Sequence, residues 1–261
     1  MRLSAVQFAA ATDVAANAEV IDGLVDEAAR QGAELVVLPE AAMHDFGAAD
    51  LPLGPAAQPL DGPFVEALSA LARRVGVALV AGMFEVSGDQ ERPFNTLVVV
   101  GSDGQLRATY RKAHLYDSFG YRESDRLSRA DPIPTVVPIG ELRVGLMTCY
   151  DLRFPEFARA LIDREADVLV VPAAWVRGPL KEDHWATLLR ARAIENTVYV
   201  VGAAQTGRGY VGRSMVVDPL GVVLAGLGEE TGLCSADVRR SRIAAVRERN
   251  PSLANRRRWP A

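Results

Sequence analysis

Ala33-Glu34-Leu35-Val36-Val37-Leu38-Pro39-Glu40 packs four consecutive large apolar residues between a polar start and a proline. A run of this length, rich in Val and Leu and stopped by Pro39, predicts a strand buried on both faces over Ala33 to Leu38. Upstream, Val14 to Arg30 carries apolar residues at helical spacing and ends before Gly32, which predicts an amphipathic helix. Further upstream, Arg2 to Phe8 reads as a first strand. The three together form a β-α-β unit that leaves Glu40 just beyond the carboxyl end of its second strand.

The same alternation continues downstream. Asp61-Gly62-Pro63 offers a helix start with proline in the first turn, Gly76 ends that helix, and Val77 to Phe84 reads as a strand. Pro93 to Gly101 and Gln105 to Tyr110, joined by Ser102-Asp103-Gly104, predict a hairpin. Ala113 to Pro134 shows no clear period. Strand signals return at Arg143 to Thr148, followed by a helix over Pro155 to Arg164, a strand over Asp167 to Val171 and a helix from about Asp183 to Asn196. Val198 to Ala204, a second hairpin around Asp218-Pro219-Leu220-Gly221, a strand over Gly232 to Val238 and a short basic helix complete the chain. Without a linker or composition break, residues 1–261 read as one α/β domain with a large mixed sheet or two stacked sheets.

Composition narrows the class. The 261 residues carry a net charge of −4 with 24% charged and 49% hydrophobic residues, the balance of a globular chain able to bury about three quarters of its unfolded surface. The most apolar windows are strand-sized, far below the ~20 residues that span a bilayer, so no membrane partner is expected. Met1 leads directly into strand-like sequence, so no signal peptide is read, and two distant cysteines suit reducing cytoplasm. Arg239 to the end holds eight arginines against one acid, but no interleaved aromatics, and no nucleic-acid partner is expected.

The chemistry-bearing residues collect where predicted strands end: Glu40, Lys112 after Tyr110-Arg111, and Cys149 after Leu146-Met147-Thr148. Ligands gather at such carboxyl ends in α/β sheets. Only Lys112 and Lys181 are lysines in a chain with 27 arginines. Codon bias explains most of that excess, yet a lysine retained beside Arg111 marks a place where a compact ammonium or a tunable pKa matters. Lys181, in a Gly-Pro-Leu-Lys-Glu-Asp loop, reads as a solvated surface charge. Cys149 precedes Tyr150-Asp151-Leu152-Arg153-Phe154-Pro155-Glu156, a strand-to-helix turn whose backbone N–H groups favour a thiolate. A buried structural cysteine is the competing reading, and it holds for Cys234 in its apolar run. His44, His114 and His184 lie in separate segments without metal-site spacing, so no metal or other cofactor is expected; His114 and His184 read as loop anchors. Gly207-Arg208-Gly209 is too isolated to be a phosphate cradle.

Leu38-Pro39-Glu40, Tyr110-Arg111-Lys112-Ala113-His114-Leu115 and Cys149 to Glu156 resemble the three signature segments of the nitrilase superfamily of carbon-nitrogen hydrolases. His184-Trp185, Leu189 to Asn196 and Ser214 to Pro219 add to the likeness, and the branch most resembled is that of deaminated glutathione amidase and omega-amidase. The resemblance implies a four-layer α-β-β-α sandwich, a homodimer or higher homo-oligomer, and a C-terminal tail (residues 239–261) at the subunit interface. It also implies catalytic Glu40, Lys112 and Cys149, with Glu123 beside the lysine. A surface ion pair of Glu123 with Arg122 or Arg126 is the competing reading. In the implied reaction Cys149 attacks an amide carbonyl, Glu40 moves the protons with a pKa drawn toward neutrality, Lys112 and the Tyr150 N–H hold the oxyanion, and a thioester is hydrolysed after ammonia leaves. Nitrile hydrolysis and acyl transfer are the alternatives on the same triad. A carboxylated substrate needs a cation, for which Arg153, Arg177 and Arg208 are candidates; Trp175 is read as a lid residue and His184 as a further substrate contact. Asp117 to Arg122 is shorter than the related enzymes usually carry.

Overall fold

The computed structural model describes residues 1–207 and 209–257. The first half runs β1 (Arg2–Gln7), α1 (Val14–Arg30), β2 (Leu35–Val37), α2 (Pro63–Val75), β3 (Ala78–Glu85), β4 (Phe94–Val100) and β5 (Leu106–Arg111). Two short strands, β6 (Asp117–Ser118) and β7 (Tyr121–Arg122), follow. The second half runs β8 (Val136–Ile139), β9 (Leu142–Leu146), α3 (Pro155–Ile162), β10 (Val168–Ala173), α4 (Lys181–Asn196), β11 (Tyr199–Ala204), β12 (Met215–Val217) and β13 (Val223–Gly226). The chain then returns through β14 (Gly232–Asp237) to α5 (Arg240–Arg249).

The long strands form two six-stranded sheets, ordered β14-β1-β2-β3-β4-β5 and β8-β9-β10-β11-β12-β13. Across each, in that order, the pairings run antiparallel, parallel, parallel, antiparallel, antiparallel. The two sheets are thus two copies of one winding, each with its two helices crossing between its parallel strands. Strand alternation sets the layers. In the first sheet Leu3, Ala5, Leu35 and Val37 face the second sheet, while Val6, Val36 and Leu79 pack under Ile21 and Val25 of α1 and Phe64 and Leu68 of α2. The second sheet carries α3 and α4 on its far side, where Gly202 of β11 leaves the space that Trp185 and Leu189 fill; a Cβ there would lie 2.7 Å and 2.6 Å from them. The order is helix, sheet, sheet, helix, as the resemblance implies. Among the described residues, no helix is long and apolar enough to cross a membrane.

Local chemistry explains most element ends. Asp13 accepts from the N–H groups of Ala15 and Ala16 and caps α1, and Gly76 takes the left-handed conformation (φ 70°) that closes α2. Besides the two-residue strands β6 and β7, one strand, β8, has no counterpart in the sequence reading. It lies at the sheet edge, which tolerates Pro138, but the proline hides it as a strand signal. Three of the arginines near the C-terminus pair with acids of the same chain: Arg242 with Asp218 (2.7 Å), Arg240 with Asp167 (3.4 Å) and Arg256 with Asp163 (2.6 Å).

Candidate active site

Three strand ends deliver three charged or nucleophilic side chains to one place. Beyond β2 the chain turns at Ala41 (φ 54°) and lies against β3, where only glycine fits: a Cβ on Gly82 would stand 2.6 Å from the Ala41 nitrogen and 2.8 Å from the Glu40 Cα. Lys112 extends β5 by one residue, its N–H donating to the Asn95 carbonyl at 2.8 Å. Cys149 follows β9 in the left-handed region (φ 46°) and opens a 3₁₀ turn, Cys149–Arg153, that runs into α3 at Pro155. A non-glycine residue held there is a strained position of the kind that clusters at functional sites.

Lys112 is 2% exposed and Glu40 1% exposed, and their Nζ and Oε1 lie 2.9 Å apart. The Lys112 ammonium also donates to both oxygens of Glu123, each at 2.9 Å. Asn95 Nδ2 donates to Glu40 Oε1 at 2.7 Å, and the Ala174 N–H to Glu40 Oε2 at 2.7 Å. Glu123 is buried and also accepts from the Tyr116 N–H at 2.5 Å, so the surface-pair reading fails. Arg122 pairs instead with Asp125, and Arg126 donates to the carbonyls of Phe46 and Leu51 and to the Tyr121 hydroxyl.

Charge balance sets the protonation states. Burial disfavours the Lys112 ammonium, yet Glu123, Glu40 and the Cys149 sulfur hold its pKa well above that of an ordinary lysine. Burial pushes the Cys149 thiol well above its usual value, and Glu40 and Glu123 add to this while Lys112 opposes it. The expected thiolate at the turn's N-terminus is therefore corrected: two carboxylates against one ammonium already leave the cluster one charge negative, and the sulfur keeps its proton at rest. Burial, then repulsion from Glu40, raises Glu123 against the pull of Lys112.

Asp151, wholly buried, clips the lysine segment to the cysteine turn. Its Oδ2 accepts from the Tyr110 hydroxyl (2.6 Å) and the Thr148 N–H (2.8 Å), and its Oδ1 meets the His114 N–H (3.1 Å) and ring Nδ1 (2.7 Å). His114 stacks on Phe154, centroids 3.7 Å apart, and so anchors the loop as expected. Asp151→Asn replaces one acceptor oxygen by a donor facing donors. Loss of one such charge-assisted bond, about 1.5–3 kcal/mol, should lower the melting temperature by roughly 5 °C or more. The rate should fall with it because Lys112 lies within the clipped segment; melting curves and steady-state kinetics check both.

These side chains open into a cavity of about 760 Å³, a size usual for small-molecule sites. Glu40, Lys112, Glu123, Cys149, Tyr150, Trp175 and Arg177 all line it. Expectations for five residues change. Trp175 is 2% exposed, donates to the Lys181 carbonyl at 2.9 Å and packs on Trp185, so it is a fixed wall rather than a lid. Arg177 is paired with Glu229 (3.1 Å) and donates to the Tyr210 carbonyl (2.7 Å). Arg153 and His184 are not among the lining residues: Arg153 stands behind Phe119 and Trp175, and its Nη2 meets His184 Nδ1 at 3.2 Å. Arg208 lies outside the described residues. Lys181, read as a surface charge, is 4% exposed and lines the cavity; the signal for it was its rarity, the same that marked Lys112. Asn95 was missed because its role comes from pairing with the end of β5. The short Asp117 to Arg122 segment still walls the cavity, through Phe119 and Tyr121.

The family model for carbon-nitrogen hydrolases matches residues 2–248. A deaminated glutathione amidase of Escherichia coli O157:H7 is 42% identical over 258 residues, covering 98% of this chain and 97% of that protein. The crystal structure of Saccharomyces cerevisiae Nit3, a member of branch 10 of the nitrilase superfamily, superposes with a TM-score of 0.87 at 27% identity, covering 99% of this chain and 97% of that one. A mutant amidase from Nesterenkonia sp. AN1, carrying the Michael adduct of acrylamide at its active-site cysteine, superposes with a TM-score of 0.81 at 28% identity, covering 97% and 98%. The chain belongs to the carbon-nitrogen hydrolase family, within the nitrilase superfamily. It is an enzyme of the amidase kind.

Proposed function

We propose that this amidase hydrolyses the C–N bond of a small ω-amide bearing a carboxylate, such as a 2-oxo acid amide or deaminated glutathione, through a thioester on Cys149. The carrying observation is the convergence of Cys149, Glu40 and Lys112, all buried, in the wall of one cavity. Cys149 Sγ attacks the carbonyl carbon as its proton passes to Glu40, and the carbonyl oxygen becomes an oxyanion held by Lys112 Nζ and the Tyr150 N–H. Glu40 hands the proton to the leaving nitrogen, the C–N bond breaks, and ammonia or an amine departs. Water then gives a proton to Glu40 and attacks the thioester; the C–S bond breaks and the thiol is restored. Glu123 bonds to Lys112, the Tyr116 N–H and, at 3.4 Å, the Asn95 amide rather than to the reacting atoms in this scheme, and acts as a positioning residue. Trp175 and Arg177 bound the space for substrate, with Arg153 and His184 acting from behind.

The reading takes the whole chain as one hydrolase domain of a cytoplasmic enzyme that pairs with a second copy. Two free cysteines suit a reducing compartment, and Ile194, Leu220, Val222, Val223 and Leu224 leave an exposed apolar surface for pairing close to the C-terminal tail. The test is product release over 2-oxo acid amides, deaminated glutathione, simple aliphatic amides and nitriles. Carboxylated amides should be turned over best; preference for nitriles, or for neutral amides, would overturn the assignment.

A further inference from the structure

The two lysines of the chain are both buried and both line the same cavity, but only one is neutralised. Lys112 has two carboxylates at 2.9 Å. Lys181 has none within ion-pairing distance among the described residues, and the hydrogen bond its ammonium makes is to the Tyr116 hydroxyl at 3.0 Å. Around it stand the rings of Phe119, Tyr116 and Trp175, with centroids 4.5, 4.8 and 5.2 Å from Nζ. Aromatic faces favour a cation but do not replace a lost hydration shell, and an ammonium has three protons to donate.

Two further features single this position out. Lys181 is the first residue of α4, the helix end where the macrodipole opposes positive charge. The chain takes two left-handed steps, Gly178 (φ 155°) and Leu180 (φ 57°), to turn it inward. A second cation, Arg153, backs the same two rings, Phe119 and Trp175, and its buried Nε has no hydrogen-bond partner. Burial and the Arg153 charge both lower the Lys181 pKa, which the Cys149 sulfur partly offsets. A fold that spends stability on an unpaired buried cation next to another cation leaves the counter-charge to a ligand.

We propose that Lys181, backed by Arg153, is the specificity-determining cation of the site, taking the carboxylate at the end of the substrate away from the scissile amide. This rests on the amidase reading above and deepens it. Tyr116, bonded to Lys181, packs edge-on against Tyr150 at 5.0 Å, directly after Cys149, so the carboxylate subsite and the nucleophile lie one aromatic contact apart. That span fits a short acyl chain of a few carbons. Arg177, already paired with Glu229, is not the reader of this group.

The experiment compares glutaramate with pentanamide, which differ in one terminal carboxylate, on the full-length parent, Lys181→Met and Lys181→Arg. The parent should prefer glutaramate. Lys181→Met should lower the glutaramate-to-pentanamide ratio of kcat/KM roughly ten- to a hundredfold, mainly through KM, and Lys181→Arg should recover part of it. A ratio equal to the parent's in Lys181→Met overturns the proposal while leaving the amidase reading intact; a parent that hydrolyses neither compound nor any other amide overturns that reading instead. If Lys181→Met does not fold, titration of glutarate into Cys149→Ala with and without Lys181→Gln decides: loss of glutarate binding supports the subsite, and unchanged binding overturns it.

Discussion

Cys149→Ala and Cys149→Ser lose all measurable turnover and keep the fold. The sulfur is the atom to which the acyl group is transferred, so its removal eliminates the covalent route rather than weakening one contact. Structurally the change is small. The side chain is 7% exposed and its thiol faces the cavity, so truncation enlarges an existing space instead of opening a void in the core. Alanine pays the same penalty as cysteine at φ 46°. A thiol that is neutral at rest takes no ion pair with it when it is removed, so the melting temperature should change little. Cys234 is the control: buried in the sheet core near the Ser214 carbonyl, its thiol is pushed up to about 12 by burial and stands apart from the cavity. Cys234→Ala should retain parental activity, measured as product release, with the loss of stability usual for a small core truncation.

Lys112→Arg is the second large effect. In a chain that uses arginine almost everywhere, this exchange would be harmless at an ordinary surface position. Here the ammonium meets three carboxylate oxygens at 2.9 Å in a space 2% exposed. A planar guanidinium is longer and wider, and it cannot meet Glu40 and Glu123 while leaving room for a tetrahedral oxygen. Loss of one oxyanion donor costs about 10²- to 10³-fold in kcat, and displacement of Glu40 adds to it. Overpacking of a filled, charged site should also lower the melting temperature, by an amount corresponding to about 1–3 kcal/mol. Steady-state kinetics and melting curves on Lys112→Arg and the parent measure both.

The parts of the site written in local sequence were legible, and those made by distant contacts were not. Glu40, Lys112 and Cys149 each follow the end of a strand within three residues, so period and punctuation placed them at strand ends. The helix boundaries at Val14, Arg30 and Gly76 follow from a cap, a period and a left-handed glycine, all local. The doubling of the six-stranded winding was hidden because one outer strand, β14, pairs with β1 from the far end of the chain, and the other, β8, is a local hairpin partner of β9 whose strand signal Pro138 masks. Lys181 looked solvated because its neighbours Gly178, Pro179, Glu182 and Asp183 are loop and helix-start residues. Its burial depends on Tyr116, Phe119 and Trp175 closing over it from two other segments. Arg153 sits in the motif next to the nucleophile, but the rings in front of it keep it out of the cavity wall.

The central claim is a covalent acyl group on one sulfur. Rapid acid quenching of the enzyme during turnover of glutaramate, followed by mass measurement of the intact chain and its peptides, tests it directly. The account predicts a mass gain equal to the substrate less ammonia, located on the Cys149 peptide and removed by hydroxylamine. An adduct that keeps the amide nitrogen, or an acyl group found elsewhere while Cys149 stays unmodified, would contradict it.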